Sequence, residues 1–226
     1  MNQHNRLDRQ QASTARVVLV AVVWGLAHSV LASNSVKQLV LRIGGARLRY
    51  GLYRFAYVIG AIVSTLGFIV WFVRQPDRVL YEVRAPWAGV MRGVQVAALA
   101  ILADSVVESN LFRMTGIAEV GQLLGGQPIE PETVAQGPAR DSQGQLITGG
   151  VFQWTRHAGD LSTIGLFWFF PRMTINLAVL AALATGYSVI GAFREEARLH
   201  KAYGGAFERY QQRVPFLLPI PKRRSR

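Results

Sequence analysis

Two pairs of charged residues stand where apolar segments begin and end in the C-terminal third of the chain. Arg156 and His157 open one apolar segment, and Glu195 and Glu196 close the next. Charged groups are costly in lipid and normally face protein, water or a ligand. An arginine can hold a carboxylate through two parallel hydrogen bonds, and a glutamate can accept from an ammonium or a hydroxyl group. The two pairs therefore predict one polar site at a membrane face.

Composition places these pairs in a membrane protein. Half of the 226 residues are hydrophobic and 17% are charged, and the mean hydropathy is +0.21. A chain of this length suits one or two domains. It contains no cysteine, which excludes disulfides, thiolate nucleophiles, Cys-ligated zinc and iron–sulfur clusters.

The net charge of +12 has two explanations, nucleic-acid binding and membrane topology. Nine of the 25 Lys and Arg residues follow Phe193, next to an apolar segment, and many others fall in short connectors. Such a layout is typical of cytoplasmic loops and of contact with anionic lipid headgroups. We therefore expect membrane lipid as a partner, and no nucleic acid.

Apolar runs predict an all-α polytopic protein with about five transmembrane helices and an interfacial tail helix. The last two runs form a hairpin that either spans or re-enters the membrane. The predicted spans are Val17–Ala32, Leu52–Val73, Ala88–Val107, Val151–Phe170 and Met173–Phe193. The corresponding parts are a mobile arm (1–16), a three-span part (17–107), a long cytoplasmic connector (108–149) that covers the site or is disordered, and the hairpin with its basic tail (150–226).

Positive charge also predicts the orientation. Five spans with a cytoplasmic C-terminus place most Lys and Arg residues inside, in a membrane of the bacterial inner-membrane type. His28 and Asp104 then fall near the inner ends of the first and third spans. They share the depth of the two charged pairs, which makes both candidates for catalysis.

Each candidate also has a structural interpretation. His28 could be satisfied by a neighbouring carbonyl or serine, and Asp104 with Glu108 could pair with arginines at the membrane boundary. Arg156 could anchor a lipid headgroup. The glutamate pair could be a solvated start to the tail helix, in which Tyr203 and Tyr210 would lie on an amphipathic face.

Longer motifs carry a family resemblance. The segments GVFQWTRHAGDLSTIGLFWFFPRMT and EEARLHKAYGGAFERYQQRVPFLLP resemble the C-terminal signature of the isoprenylcysteine carboxyl methyltransferase superfamily. His28–Ala32 is similar to the H-S-x-x-A of its NnrU-like branch, which includes bacterial methanethiol S-methyltransferases and plant zeta-carotene isomerases. Pro171–Thr174 resembles the P-x-M-T of the thiol methyltransferases. The resemblance covers nearly the whole chain outside the long connector.

The resemblance implies a membrane enzyme that binds S-adenosylmethionine without a Rossmann fold. Arg156, His157 and Glu195 would hold the carboxylate, amine and ribose of this cofactor. The methyl acceptor would be a small thiol or a lipid-like molecule, and no protein nucleophile would be needed. Four further candidates for cofactor binding are Asp160, Glu196, Tyr203 and Tyr210.

Two alternatives and one departure accompany this interpretation. His28 and His157 could ligate haem b, as the isomerase side of the branch implies, or the protein could be a non-catalytic accessory factor. The family motif R-H-P-x-Y-x-G also differs here, because Ala158, Gly159 and Asp160 follow the Arg-His pair and the Pro, Tyr and Gly are missing. Glu195 and Glu196 are retained, which favours methyl transfer.

Overall fold

The computed structural model describes residues 3–129, 142–143, 145–146 and 148–219. Within these residues the chain is almost entirely helical, with one two-stranded sheet, which confirms the predicted all-α class. A π-helical turn at Arg47–Leu52 links the second and third helices. The helices are α1 (Gln3–Ala32), α2 (Asn34–Ala46), α3 (Tyr53–Phe72), α4 (Trp87–Glu108), α5 (Leu111–Thr115), α6 (Ile117–Leu124), α7 (Ala158–Trp168), α8 (Ile175–Tyr203) and α9 (Gly205–Arg213), and the strands are β1 (Val79–Glu82) and β2 (Arg172–Thr174).

Four helical stretches of the described chain are long and apolar enough to cross a membrane. They are Leu7–Ala32, Asn34–Phe72, Trp87–Glu108 and Ile175–Tyr203. Most of their large apolar side chains are exposed, as for Leu19 and Val96. Exposed apolar surface on this scale needs lipid to cover it. The chain is an integral membrane protein.

The predicted span Val151–Phe170 is not a continuous helix. A 3₁₀ turn at Gly150–Gln153 precedes α7, which has only 11 residues. Such a helix is about 16 Å long, roughly half of the apolar thickness of a bilayer. His157, immediately before α7, has φ −121° and ψ 61°, outside the α-helical region, so α7 begins only at Ala158.

By its internal contacts the chain divides into two compact units. Unit 1 comprises Met1–Val79, Asn110–Glu132 and Thr174–Leu180, and unit 2 comprises Leu80–Ser109, Thr133–Met173 and Ala181–Arg226. The predicted boundaries at 16, 107 and 149 remain predictions. Part of the predicted connector, residues 108–149, is helical in α5 and α6, and its residues 130–141, 144 and 147 lie outside the described chain.

A buried asparagine holds unit 1 together. Asn176 is 1% exposed, and its amide nitrogen donates to Ser13 Oγ and to the carbonyl of Pro76, both at 3.0 Å. Its amide oxygen accepts from Thr14 at 2.8 Å and Gln10 at 3.2 Å. All four hydrogen-bonding positions of the amide are thus used. Three of these bonds fall on residues 10–14, in the segment predicted as a mobile arm, which is helical from Gln3 onward.

Close helix packing organises unit 2. At Gly165 of α7, an added Cβ would lie 3.1 Å from the Cβ of Ala98 on α4. The Gln95 side chain donates to the carbonyl of Leu166 at 3.0 Å. Small residues allow this approach, as is common between helices in membranes. The amide of Val83 donates to Pro171 O at 2.8 Å, next to the pairing of β1 with β2.

Candidate functional site

A glycine turn brings the site residues of unit 2 to the start of α7. The Val151 amide donates to Asp104 Oδ2 at 2.7 Å. A Cβ at Gly150 would lie 2.2 Å from the same oxygen, and one at Gly149 would lie 2.3 Å from Glu108 Oε2. A side chain at Gly150, whose φ is +47°, would be strained, and one at Gly149 would require the Glu108 carboxylate to move. Asp104, predicted as a catalytic candidate, therefore holds the backbone of this turn, and its part in catalysis remains a prediction.

Arg156 is surrounded by acceptors. Its Nε donates to Glu196 Oε1 at 2.6 Å, and its Nη1 donates to the carbonyls of Gln211, at 3.2 Å, and Val214. The Arg156 side chain is only 8% exposed. The guanidinium thus joins α8, the end of α9 and the segment that follows through its Nε and Nη1 groups.

Glu196 completes this arrangement. Its Oε1 also accepts from His157 Nε2 at 3.2 Å, and its Oε2 accepts from Gln211 Nε2 at 2.8 Å. Both oxygens of a carboxylate that is 13% exposed are therefore satisfied. We call the side formed by Arg156, Glu196 and Gln211 the closed edge of the site.

The opposite side of the His157 ring differs. His157 Nδ1 lies 3.6 Å from Asp160 Oδ2 and 3.8 Å from Glu195 Oε2, too far for hydrogen bonds. The Glu195 side chain is 43% exposed and that of Asp160 is 27% exposed. Burial raises the pKa of the Asp160 carboxyl, opposed by a hydrogen bond with Ser188 and by the charge of His157. We call His157 Nδ1, Asp160 and Glu195 the open edge.

The segment after α9 covers this turn. The amide of Arg156 donates to Pro215 O at 3.1 Å, and Thr155 Oγ1 donates to Leu217 O at 2.8 Å. The Phe216 ring lies 4.7 Å from the His157 ring and 5.0 Å from the Phe193 ring, between ring centres. The tail and the Arg-His turn therefore form one packed body.

Tyr203 and Tyr210, predicted to bind cofactor, belong to the apolar cluster of α9. Tyr210 is 5% exposed and packs with Phe207 and Val214, and Tyr203 lies against the same cluster. The Tyr210 hydroxyl donates to Phe152 O at 2.7 Å. Burial raises the pKa of the Tyr210 phenol, so it stays protonated and keeps donating.

His28 lies in unit 1, beside the aromatic residues of α1 and α3. Its Nδ1 is 3.0 Å from the carbonyl of Trp24, and its ring centre is 4.0 Å from that of Trp24 and 6.1 Å from that of Tyr57. A carbonyl only accepts, so Nδ1 carries the proton in this bond. Nε2 makes no hydrogen bond to any described residue and is left as a proton acceptor.

Known proteins resemble the chain along most of its length. It is 27% identical over 212 residues to methanethiol S-methyltransferase 1 of Bradyrhizobium diazoefficiens, covering 92% of this chain and 68% of that protein. It is 25% identical over 209 residues to methanethiol S-methyltransferase of a Pseudomonas species, covering 89% and 71%. A methanethiol S-methyltransferase of Crocosphaera subtropica is 31% identical over 78 residues, 34% of this chain and 31% of that one.

These similarities support the resemblance to the isoprenylcysteine carboxyl methyltransferase-like family. No protein-family model and no solved structure matched it. Its place in the NnrU-like branch remains a prediction. The haem alternative is not favoured, because the names of all three relatives specify methyl transfer.

The residues of this methyltransferase-like chain fit S-adenosylmethionine on one edge of the site. The carboxylates of Glu195 and Asp160 suit an ammonium group, a ribose hydroxyl and the positive charge of a sulfonium. Arg156, predicted to hold the carboxylate of the cofactor, has Nε on Glu196 and Nη1 on the carbonyls of Gln211 and Val214, and its part in cofactor binding remains a prediction. The open edge thus offers partly exposed carboxylates and the closed edge holds the turn, and cofactor contact by these residues remains a prediction.

Sequence reasoning missed several residues of this site. Gln211, Thr155 and Phe216 were not singled out, although all three lie in the segments that carry the family resemblance. Their position in these segments, as polar or aromatic residues near the charged motifs, was the sequence feature that could have indicated them. Thr155 donates to backbone carbonyls, which leave no trace in residue types.

Proposed function

We propose that this protein is an integral-membrane methyltransferase that uses S-adenosylmethionine to methylate a small thiol. The observation that carries the proposal is the similarity, over 92% of the chain, to a protein named methanethiol S-methyltransferase. The open edge supports it, because two partly exposed carboxylates flank a buried histidine. The acceptor itself is proposed by analogy with that name.

The cofactor supplies a methyl group already activated on a sulfonium. The chain's own residues bind and orient. Glu195 and Asp160 accept from the polar groups of the ligand, and Phe216 and Phe193 keep water from one face of His157. Methyl transfer needs alignment more than it needs a protein nucleophile, which agrees with a chain that has no cysteine.

A thiol must lose its proton to become a good nucleophile. His28 is the proposed base, since Nδ1 donates to Trp24 O and Nε2 is the nitrogen left to accept a proton. The alternative role of His28 is to shape the acceptor pocket without proton transfer.

A direct assay tests the proposal. The purified protein in lipid nanodiscs receives methyl-labelled S-adenosylmethionine with methanethiol, ethanethiol or a prenylated thiol in turn. We expect labelled dimethyl sulfide from methanethiol and slower transfer to the prenylated thiol. Transfer only to the prenylated thiol would move the acceptor to the lipid-like class. Absence of transfer to all three, with cofactor bound, would refute thiol methylation.

His28→Ala separates binding from turnover. We expect the turnover rate to fall by up to ~10²–10⁴-fold, the range of general acid–base catalysis, while calorimetry shows unchanged S-adenosylmethionine affinity. A base would also give a rate that loses its pH dependence in the variant. Unchanged turnover would remove His28 from the mechanism, and a Soret band lost in both His28→Ala and His157→Ala would revive the haem alternative.

We also propose that the C-terminus and the 108–149 connector face the cytoplasm. The basic residues after Phe193 support this side. Fusions of alkaline phosphatase and green fluorescent protein to the C-terminus measure it, because the first is active only outside the cytoplasm and the second fluoresces only within it. Phosphatase activity without fluorescence would reverse the orientation.

A further inference from the structure

Unit 2 also contains a polar cavity that shares no lining residue with the candidate site. It has a volume of about 430 Å³ and lies among α4, the β1 segment and the residues after α7. Its polar lining is Arg92, Arg172, Glu82 and Gln95, and Phe170 and Ala88 contribute apolar wall. Nothing in the proposed methyl transfer uses these residues.

The two arginines of this cavity have no assigned role. Neither guanidinium has a hydrogen bond or an ion pair within the described residues. Arg92 stands on an apolar, membrane-crossing helix, five residues after its first residue, Trp87, or about 8 Å along the helix axis. A charge at such a position is expected to serve a ligand or a partner.

Exposed aromatic side chains set the depth of the cavity. Trp87 begins α4 and is 68% exposed, and Trp168 ends α7 and is 41% exposed. Phe170, in the cavity wall, is 38% exposed. Tryptophans concentrate where membrane and water meet. The mouth of the cavity therefore lies at the level of the lipid headgroups, with the apolar surface of α4 running inward from it.

We propose that this cavity binds the phosphate of an anionic phospholipid, held between Arg92 and Arg172. Guanidinium groups match phosphate oxygens through paired hydrogen bonds, and basic pockets beside membrane helices are suited to lipid headgroups. Phe170 and Ala88 would contact the glycerol and the first methylenes, which a free phosphate lacks. Glu82 repels negative charge, so the site disfavours a lipid that carries a second negative charge beyond the phosphate.

Native mass spectrometry of the intact protein in detergent, titrated with phosphatidylglycerol or phosphatidylcholine, tests this site. At roughly 1 kcal/mol for each basic residue near an anionic lipid, Arg92→Ala and Arg172→Ala should each weaken phosphatidylglycerol binding by about fivefold, and together by about 25-fold. Phosphatidylcholine binding should change little. Glu82→Gln should tighten phosphatidylglycerol binding by up to the same factor of about five.

Arg84→Ala is the matched control. Arg84 lies between β1 and α4, two residues after Glu82, and it is exposed and does not line the cavity. An equal loss in this variant would mean diffuse charge attraction and would overturn the proposal. Inorganic phosphate in a competition arm should not displace the lipid at millimolar concentration, and displacement would reassign the cavity to free phosphate. If the double variant does not fold, the Glu82→Gln result decides, and unchanged affinity there refutes the site.

Discussion

The two edges of His157 use the same residue types for different purposes. At the closed edge, Glu196 accepts from Arg156, His157 and Gln211, and its carboxylate is 13% exposed. At the open edge, Glu195 lies 3.8 Å from His157 Nδ1 and is 43% exposed. Adjacent glutamates in one motif therefore have opposite environments, one saturated by protein groups and the other turned toward solvent or a ligand.

This difference shows that one motif contains both residues that hold the turn in place and residues that are exposed to a ligand. A buried ion pair costs desolvation of both charges, and the cost is offset only where hydrogen bonds satisfy the remaining atoms. Arg156 meets that condition through two tail carbonyls as well as Glu196. The closed edge gives the turn a fixed shape, against which the open edge can meet a charged ligand.

Glu196→Ala should give the largest effect of the closed edge. It leaves the Arg156 guanidinium buried without its counter-charge, a situation that costs about 3–5 kcal/mol. We expect a strong fall in the melting temperature of the detergent-solubilised protein, with poor recovery from membranes. Glu208→Ala is the control, because within the described part of the chain Glu208 pairs with the exposed His200 at 3.2 Å and the variant should leave the melting temperature almost unchanged. An unchanged melting temperature in Glu196→Ala would show that the closed edge does not stabilise the fold, and the proposed difference between the two edges would be wrong.

Glu195→Ala should have the opposite profile. We expect S-adenosylmethionine binding to weaken by ~1.5–3 kcal/mol, the usual value of a hydrogen bond to a charged group, with the melting temperature of the free protein nearly unchanged. Calorimetry and thermal unfolding of the same preparation measure the two quantities. Lost stability with retained affinity would make Glu195 structural and would leave the open edge without a ligand role.

Tyr210→Phe should give the smallest effect. The variant removes the donor to Phe152 O and leaves that carbonyl without its 2.7 Å partner, for a cost of about 1 kcal/mol of unfolding free energy. Cofactor affinity should stay the same, since the hydroxyl points into the protein. Weaker cofactor binding at unchanged stability would restore Tyr210 to the ligand-binding residues, as the resemblance implies.

Hydropathy predicted most of the fold because backbone groups in lipid must be satisfied within helices. The runs that became α1, α3, α4 and α8 were all found in this way. The run at 151–170 was predicted to span or re-enter the membrane, and its apolar composition does not record the non-helical backbone of His157 that delays α7. Whether a segment continues as a helix depends there on one backbone conformation.

The site was predictable in residue type and not in role. Residues 195 and 196 of one helix project about 100° apart, so they cannot serve the same pocket equally. Which of them faces Arg156 depends on the rotation of α8, which is set by its packing. Asp104 shows a second limit, because it binds the backbone amide of a residue 47 positions away, and an amide is the same at every position.

The tail contacts of Arg156 impose an order on biosynthesis. Arg156 leaves the ribosome 58 residues before Val214, whose carbonyl it needs, and at ~5–20 residues per second this interval is about 3–12 s. During that time α8 enters the membrane while its neighbouring turn still lacks half of its partners. The site is therefore completed only after Val214 and the residues that follow it have been synthesised, and a chain cut after Arg213 would carry every charged residue of the motif without the contacts from Val214, Pro215 and Leu217 that hold the turn.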